Sequence, residues 1–127
     1  MRKLILTVSI LLICAALTAC RIDATAILNA EDGLTLYIQS RNAPAIQTDL
    51  PKGSQLYNEF REWLLKNEEG WSTSPVTYIP SIEVRGKKFS INFLGTSAIL
   101  NFQDSKGSYH QYVKDVKPEE YQFLNKK

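Results

Sequence analysis

The chain has 127 residues with 15 basic and 13 acidic side chains, which is the size of one independently folding domain with little net charge. Arg2 and Lys3 account for the whole excess of basic residues, so the rest of the chain is formally neutral. The net charge is therefore no signature of nucleic-acid binding, and we expect no nucleic-acid partner.

The N-terminal segment has the layout of a secretory signal. Arg2 and Lys3 form a basic start, residues 4–17 form an uncharged apolar run, and two small residues follow. As a helix, this run covers about 21 Å, which is short of the ~30 Å hydrocarbon core of a membrane. We therefore predict a cleaved signal peptide over residues 1–19 rather than a permanent membrane span.

A cysteine ends this segment in the sequence Leu17-Thr18-Ala19-Cys20. These residues resemble the lipobox of bacterial lipoproteins, in which an apolar residue, two small residues and a cysteine stand in this order. The resemblance covers residues 1–20. It implies cleavage before Cys20, a diacylglyceryl group on its thiol and an acyl chain such as palmitate on the new amino group. Because several acyl chains hold a protein more firmly than one, it implies stable membrane attachment.

The residue after the cysteine bears on which membrane holds the anchor. Enterobacterial lipoproteins retained in the inner membrane usually have Asp at this place, whereas this chain has Arg21. The resemblance therefore implies an outer-membrane protein that faces the periplasm if the host is Gram-negative. It also leaves no free thiol, because Cys14 is removed with the signal and Cys20 carries lipid. Disulfides, thiolate metal sites and cysteine nucleophiles are thus excluded.

The rest of the chain is predicted to form one domain, because it contains no repeat, no low-complexity tract and no long linker. We assign residues 20–33 to the lipidated cysteine and a short tether or first strand. Residues 34–127 are assigned to a single α+β domain.

The clearest element of this domain is an amphipathic helix over residues 54–69. Apolar residues including Phe60 and Trp63 recur at helical spacing, with charged residues between them. Ser54 is suited to cap the first turn, and Gly70 to close the last. We expect the apolar stripe of this helix to pack against one face of a sheet.

Five strands are predicted from alternating β-branched and aromatic residues. They cover residues 35–40, 77–85, 89–94, 98–103 and 109–114. Tyr78, Ile82 and Val84 share one face of the second strand, and Gly86 is placed at a positive φ in the hairpin after it. Short turns join the later strands, which predicts an antiparallel meander.

The fold class is therefore α+β, with an antiparallel β-meander of about five strands packed against one amphipathic helix. Pro118 is placed to begin a short C-terminal helix, which Glu119 and Glu120 favour in its first turn. Pro80 cannot donate to a sheet ladder, so its strand is predicted to be an edge strand, bulged or split.

Residues that carry chemistry are few. His110 is the only histidine, and a single imidazole in a strand is more typical of a hydrogen-bonded surface residue than of a catalytic base. No second histidine or free cysteine can complete a transition-metal site, and no acidic loop has calcium-binding spacing. The sequence therefore predicts no enzymatic activity, no metal and no cofactor.

Seven residues are candidates for binding: Trp71, Arg85, Lys87, Lys88, Tyr109, His110 and Tyr112. Trp71 is either a plug beneath the helix or an exposed anchor for a partner. The three basic residues share a hairpin tip, where they solubilise the turn or meet an acidic partner or lipid headgroups. The last three residues occupy both faces of one strand, which indicates a contact surface or a strand buried on both sides.

These features predict a lipid-anchored protein of the cell envelope whose domain binds another protein without catalysis. The layout looks like that of small lipoproteins that act as immunity proteins or hydrolase inhibitors, so the expected partner is an envelope or secreted protein. One alternative is a structural or assembly accessory of an envelope complex. Another is a carrier of a small ligand or lipid, which requires an apolar cavity between the sheet and the helix.

Overall fold

The computed structural model describes residues 20–73 and 75–125 of the chain. Its elements in chain order are α1 (Ala24–Asn29), β1 (Gly33–Ser40), β2 (Ala43–Pro51), α2 (Gln55–Lys66), β3 (Ser72–Thr73), β4 (Ile82–Arg85), β5 (Phe89–Leu94), β6 (Ser97–Gln103), β7 (Tyr109–Asp115), α3 (Pro118–Tyr121) and a 3₁₀ helix (Gln122–Asn125). The predicted signal peptide, residues 1–19, lies outside the described part of the chain. Within that part, no helix combines the length and the apolar character needed to cross a membrane.

The strands form one antiparallel sheet in the order β2-β1-β4-β5-β6-β7-β3. The α+β class is confirmed, but the predicted number of about five strands is wrong, because β2 and β3 add two more. β2 contains Pro44 and Pro51 and buries only Leu50, so it has no apolar alternation to reveal it. β3 has two residues, too few to produce a pattern.

The first face of the sheet is apolar. Leu36, Val84, Ile91 and Leu100 are direct neighbours on four adjacent strands, and all four are buried. α2 lies against this face and buries Tyr57, Phe60, Trp63 and Leu64. The predicted packing of an aromatic helix stripe on a sheet is therefore present, and these side chains form the centre of the core.

The ends of α2 differ slightly from the prediction. The Ser54 hydroxyl accepts a hydrogen bond from the Tyr57 amide at 3.4 Å, which is the predicted N-cap. The helix ends at Lys66 rather than at residue 69, because the Asn67 side chain donates to the Trp63 carbonyl at 2.7 Å and closes the last turn. Gly70, with φ of 84°, instead turns the chain into the following segment.

The segment after Cys20 is not a tether or a strand, because it is folded against the domain. The Cys20 amide donates to the Trp71 carbonyl at 2.7 Å, and the Trp71 amide donates to the Cys20 carbonyl at 3.2 Å. The Ile22 amide then donates to the Glu68 carbonyl at 2.8 Å, and the Ile22 side chain is buried. Residues 20–33 are therefore part of the folded domain, which extends further towards the N-terminus than residue 34.

α1 explains why this segment folds. The Asp23 carboxylate accepts a hydrogen bond from the Ala26 amide at 3.0 Å, which caps the helix. Ala24 and Leu28 are four residues apart and fully or almost fully buried, so one side of this short helix belongs to the core. Six residues give too little periodicity to reveal the helix in the sequence.

The second face of the sheet is polar and is crossed by residues 75–81. The Val76 amide donates to the side-chain oxygen of Gln111 on β7 at 2.8 Å. The Tyr78 hydroxyl accepts hydrogen bonds from the side-chain amides of Asn92 at 3.0 Å and Asn101 at 2.9 Å. The crossing segment is thus fixed to the sheet by side-chain hydrogen bonds at Val76 and Tyr78, and at its end by a backbone bond from the Gln39 amide to the Ser81 carbonyl at 2.8 Å.

This crossing corrects the predicted strand over residues 77–85. β4 begins only at Ile82, because Pro80 has no N–H for a ladder and splits the predicted strand. Tyr78 consequently lies on the second face, opposite Ile82 and Val84, and not on the same face as predicted.

The C-terminal helix begins at Pro118, as predicted. The Lys117 amide donates to the Glu120 carboxylate at 2.5 Å and stabilises the first turn. Tyr121 stacks on Phe93 with ring centroids 4.8 Å apart, and its hydroxyl donates to the Gly95 carbonyl at 2.7 Å. This helix therefore closes one end of the apolar core.

Candidate functional site

Trp71 belongs to the core and does not contact solvent. Its exposed fraction is 0%, and its indole nitrogen donates to the Asn67 carbonyl at 2.6 Å. Its backbone is paired with Cys20 on the other side. Of the two predicted alternatives, Trp71 is therefore the plug beneath the helix and not the exposed anchor, and a partner cannot reach it.

Four of the predicted binding residues come together at the tip of the β4–β5 hairpin. Arg85, Lys87, Lys88 and Tyr109 line one shallow cavity of about 210 Å³, which we call the hairpin groove. Ser90 and Asn101, neighbours on the second face, form its floor. Tyr109 has 81% of its surface exposed, which is unusual for an aromatic residue in a strand. The groove therefore combines an exposed aromatic ring with three cationic side chains.

Glu31 holds the backbone of this hairpin. Its side chain is buried, with 1% exposed, and its two oxygens accept hydrogen bonds from the Lys87 amide at 2.6 Å and the Lys88 amide at 2.9 Å. A Cβ atom at Gly86 would lie 2.5 Å from the Glu31 carboxyl carbon, so any larger residue forces the carboxylate or the hairpin to move. Glycine is thus favoured at position 86 by this close approach, and not by the positive φ that the sequence predicts. No local sequence signal connects residues 31 and 86.

The three cations of the groove differ in how far they are neutralised. The Arg85 guanidinium bonds to the buried Glu83 carboxylate and lies 4.4 Å from the centre of the Tyr37 ring. The hydrogen bond to Glu83 raises the pKa of Arg85 above its usual value. Lys87 makes a 3.4 Å contact with Asp32, and both side chains are largely exposed.

Lys88 differs from these two residues. In residues 20–73 and 75–125, its ammonium group has no carboxylate within ion-pair distance and no hydrogen-bond acceptor. Its side chain is exposed, while its backbone is fixed by Glu31. Lys88 is therefore the groove cation that is free to bind an anionic group.

The two remaining predicted residues, His110 and Tyr112, lie on the first face of the sheet. Side chains alternate along β7, so these two point away from the face that carries Tyr109. Both rings lie against Phe102, with centroid distances of 5.1 Å for His110 and 5.6 Å for Tyr112. The three predicted aromatic residues of β7 therefore lie on two different surfaces, Tyr109 on the second face and His110 and Tyr112 on the first.

Asp104 orients His110 at the end of this cluster. One Asp104 oxygen lies 2.8 Å from His110 Nε2, and the other accepts the Lys106 and Ser108 amides, each at 2.9 Å. The hydrogen bond with His110, followed by that with Ser108, lowers the pKa of the Asp104 carboxyl below its usual value. The turn sequence Asp104-Ser105-Lys106-Gly107-Ser108 is typical of such a side-chain-closed turn, which is a signal for Asp104 that the sequence does contain.

A larger cavity, of about 390 Å³, lies between α1 and the first face of the sheet, and we call it the α1 pocket. Ile22, Ala26 and Ile27 form one wall, and Phe89 and Phe102 form the other. Charged residues stand at its rim, and Tyr112 and Lys88 of the predicted set also line it. The sequence gives no sign of this pocket, because α1 is absent from the predicted elements.

The hydrogen bonds of the described residues give His110 one partner, Asp104, and place no hydroxyl or thiol on its other ring nitrogen. In the same part of the chain, no three acidic, histidine or cysteine side chains converge as metal ligands would. Cys20 is exposed and forms no disulfide within the described residues, so its sulfur is accessible to modification.

Comparisons with protein families, with curated proteins and with solved structures find no match to this chain.

Proposed function

We propose that this protein is a lipid-anchored lipoprotein of the cell envelope whose domain binds another protein at the hairpin groove, without catalysis. The observation that carries the proposal is the exposure of Tyr109, at 81%, directly beside Lys87 and Lys88. Exposed tyrosines are typical anchors of protein interfaces, because the ring supplies a large contact area at a low cost in side-chain entropy. An acidic protein surface with an apolar centre complements this groove.

The rigidity of the hairpin supports the same proposal. Glu31 fixes the amides of Lys87 and Lys88 from beneath, so the backbone of the groove is already in place before a partner arrives. A preorganised surface loses less conformational entropy on binding than a mobile turn does. Val76, which is 39% exposed, lies on the same face, because its amide is hydrogen-bonded to Gln111, two residues along β7 from Tyr109.

The position of Cys20 supports a lipid anchor. Its side chain is exposed, and its backbone is hydrogen-bonded to Trp71, so lipid on this sulfur attaches directly to the folded domain. A domain held in this way stays at the membrane surface and meets partners in the compartment next to it. With Arg21 after the cysteine, we place the protein in the outer membrane facing the periplasm if the host is Gram-negative, with an immunity-type or hydrolase-inhibitor role.

Labelling with a palmitate analogue tests the anchor. The native chain is expected to incorporate label and to lose residues 1–19, and Cys20→Ser to remain unlabelled and uncleaved. Cys14→Ser is the matched control, because this thiol lies within the apolar run and is not the acceptor. Label that persists in Cys20→Ser contradicts the anchor.

Affinity capture tests the binding surface. Residues 20–127 with Cys20→Ser contain every buried residue of the described core and keep the backbone pairing with Trp71. We expect this chain to retain one envelope or secreted protein, with retention that weakens as salt rises. A secreted toxin or hydrolase that it inhibits supports the immunity or inhibitor role, and a resident envelope protein supports the assembly alternative.

Two variants locate the contact. Tyr109→Ala is expected to abolish retention, whereas Ile46→Ala, at an exposed residue of β2 on the opposite edge of the sheet, leaves it unchanged. Retention that survives Tyr109→Ala moves the binding surface away from the hairpin groove and contradicts the proposal.

A further inference from the structure

The α1 pocket has the size and the lining of a site for an apolar molecule. Its volume of about 390 Å³ lies in the usual range for small-ligand pockets. The walls consist of aliphatic side chains from Ile22 and Ile27 on one side and the rings of Phe89 and Phe102 on the other. Such walls favour a hydrocarbon chain over a polar ligand, because they offer it few hydrogen bonds.

The rim of the pocket carries four charged residues, and three of them are already engaged. Arg21 forms an ion pair with Glu69 at 2.7 Å. Asp23 caps α1, and Asp104 is bonded to His110 and to two amides. Lys88 remains, with no carboxylate partner in the described residues, so it is the rim cation that is free to meet an anionic headgroup, while Asp23 and Asp104 keep their negative charges.

The pocket also lies next to the cysteine. Arg21 and Ile22, which follow Cys20 directly, line it, and two residues of extended chain span at most about 7 Å. Backbone hydrogen bonds from Cys20 to Trp71 and from Ile22 to Glu68 fix this distance. If Cys20 carries lipid, the pocket is therefore held at the membrane surface.

We infer that the α1 pocket binds an anionic single-chain amphiphile, such as a long-chain fatty acid, taken from the membrane to which the protein is anchored. The hydrocarbon tail lies between α1 and the rings of Phe89 and Phe102, and the carboxylate meets the Lys88 ammonium. The inference depends on the proposed function only for the anchor that supplies the ligand. It requires no protein partner at the hairpin groove.

Calorimetric titration of dodecanoate into residues 20–127 with Cys20→Ser tests the pocket. We expect one binding site, and Ala26→Trp, which fills the pocket from α1, is expected to weaken binding by at least about tenfold. Thr25→Trp is the matched control, because Thr25 is exposed on the same helix and does not line the pocket. Absence of binding, or equal binding by both tryptophan variants, overturns the inference.

The headgroup is tested by comparing dodecanoate with dodecanol, which has the same tail and no charge. Lys88→Gln is expected to weaken dodecanoate binding several-fold and to leave dodecanol binding unchanged, whereas an equal effect on both removes the role of the charge. Tyr109→Ala should leave both titrations unchanged, so loss of protein capture and loss of amphiphile binding are separate outcomes. If the full-length protein takes up no palmitate label, the lipid anchor is contradicted. The dodecanoate titration remains a separate test of whether the α1 pocket binds an amphiphile.

Discussion

The two faces of the sheet are buried in different ways. On the first face, α2 covers a continuous row of apolar side chains, and burial of hydrocarbon stabilises the contact. On the second face, residues 75–81 cover polar side chains, and hydrogen bonds from Asn92 and Asn101 to Tyr78 hold the cover. One sheet thus has an apolar layer and a polar layer, although the strands between them are shared.

This difference shows why the two candidate sites have different chemistry. At the end of the sheet that holds the β4–β5 hairpin, α2 does not cover the whole first face, and residues 75–81 do not cover the whole second face. The first face is left with the apolar α1 pocket between Phe89 and α1, and the second face is left with the hairpin groove around Tyr109. Lys88, Phe89 and Phe102 line both cavities, so the sites are separated only by mutations at residues that line one of them, such as Tyr109 for the hairpin groove and Ala26 for the α1 pocket.

The largest effect is expected from removal of the main aromatic contact of the first face. Trp63 is buried and meets Phe93 edge to face at 4.9 Å, so Trp63→Ala leaves a large cavity and is expected to cost about 3–5 kcal/mol. Urea denaturation measures this loss. Glu62→Ala, at the exposed neighbouring position, is the control and should stay within about 0.5 kcal/mol. A small effect of Trp63→Ala contradicts the view that burial of this stripe dominates stability.

The next effect concerns the contact between Glu31 and Gly86, which joins the segment after α1 to the β4–β5 hairpin. Because a methyl group at position 86 collides with Glu31, Gly86→Ala is expected to cost about 1–3 kcal/mol by forcing the carboxylate or the hairpin to move. The added cost should vanish when Glu31 is already replaced by Ala. A double-mutant cycle in urea measures this coupling, and additive costs contradict the direct contact.

The parts of the fold that local patterns determine could be predicted from the sequence. α2 and the strands β5, β6 and β7 carry their apolar side chains at the period of their own structure, and short turns join the strands. The path of residues 75–81 across the second face could not be predicted. Val76, Tyr78 and Ile79 resemble a strand in composition, and the hydrogen-bond partners of Val76 and Tyr78 on β5, β6 and β7 are set only by the assembled sheet.

The candidate sites divide in the same way. Arg85, Lys87 and Lys88 are neighbours in the chain, so their shared location could be predicted, whereas the arrival of Tyr109 beside them depends on strand order. The Glu31 contact joins residues 56 positions apart, and no periodicity records it. Trp71 illustrates the opposite case, because composition left two interpretations and burial selects one of them.

A smaller effect is expected on the second face. Tyr78→Phe removes the acceptor of two amide hydrogen bonds and leaves the buried Asn92 side chain without a partner for its N–H group, at an expected cost of about 1–2 kcal/mol. Thermal or urea unfolding measures the loss. Tyr109→Phe is the control, because its hydroxyl belongs to an exposed ring. Equal stability of the two variants contradicts a polar network that holds the crossing segment.

The smallest effect is expected at the turn between β6 and β7, and it depends on pH. Hydrogen bonds from His110 and Ser108 lower the pKa of Asp104, so the folded state favours its ionised form. The resulting stabilisation is present above the usual pKa of 3.8 and is lost as pH falls through the lowered value in the folded state. Asp104→Asn should therefore lower the urea midpoint near neutral pH and converge with the native protein in acid. Asp49→Asn, at an exposed carboxylate of β2, serves as the control. If Asp104→Asn remains less stable than the native protein in acid, the ionised carboxylate cannot be the cause, and the role given to Asp104 is contradicted.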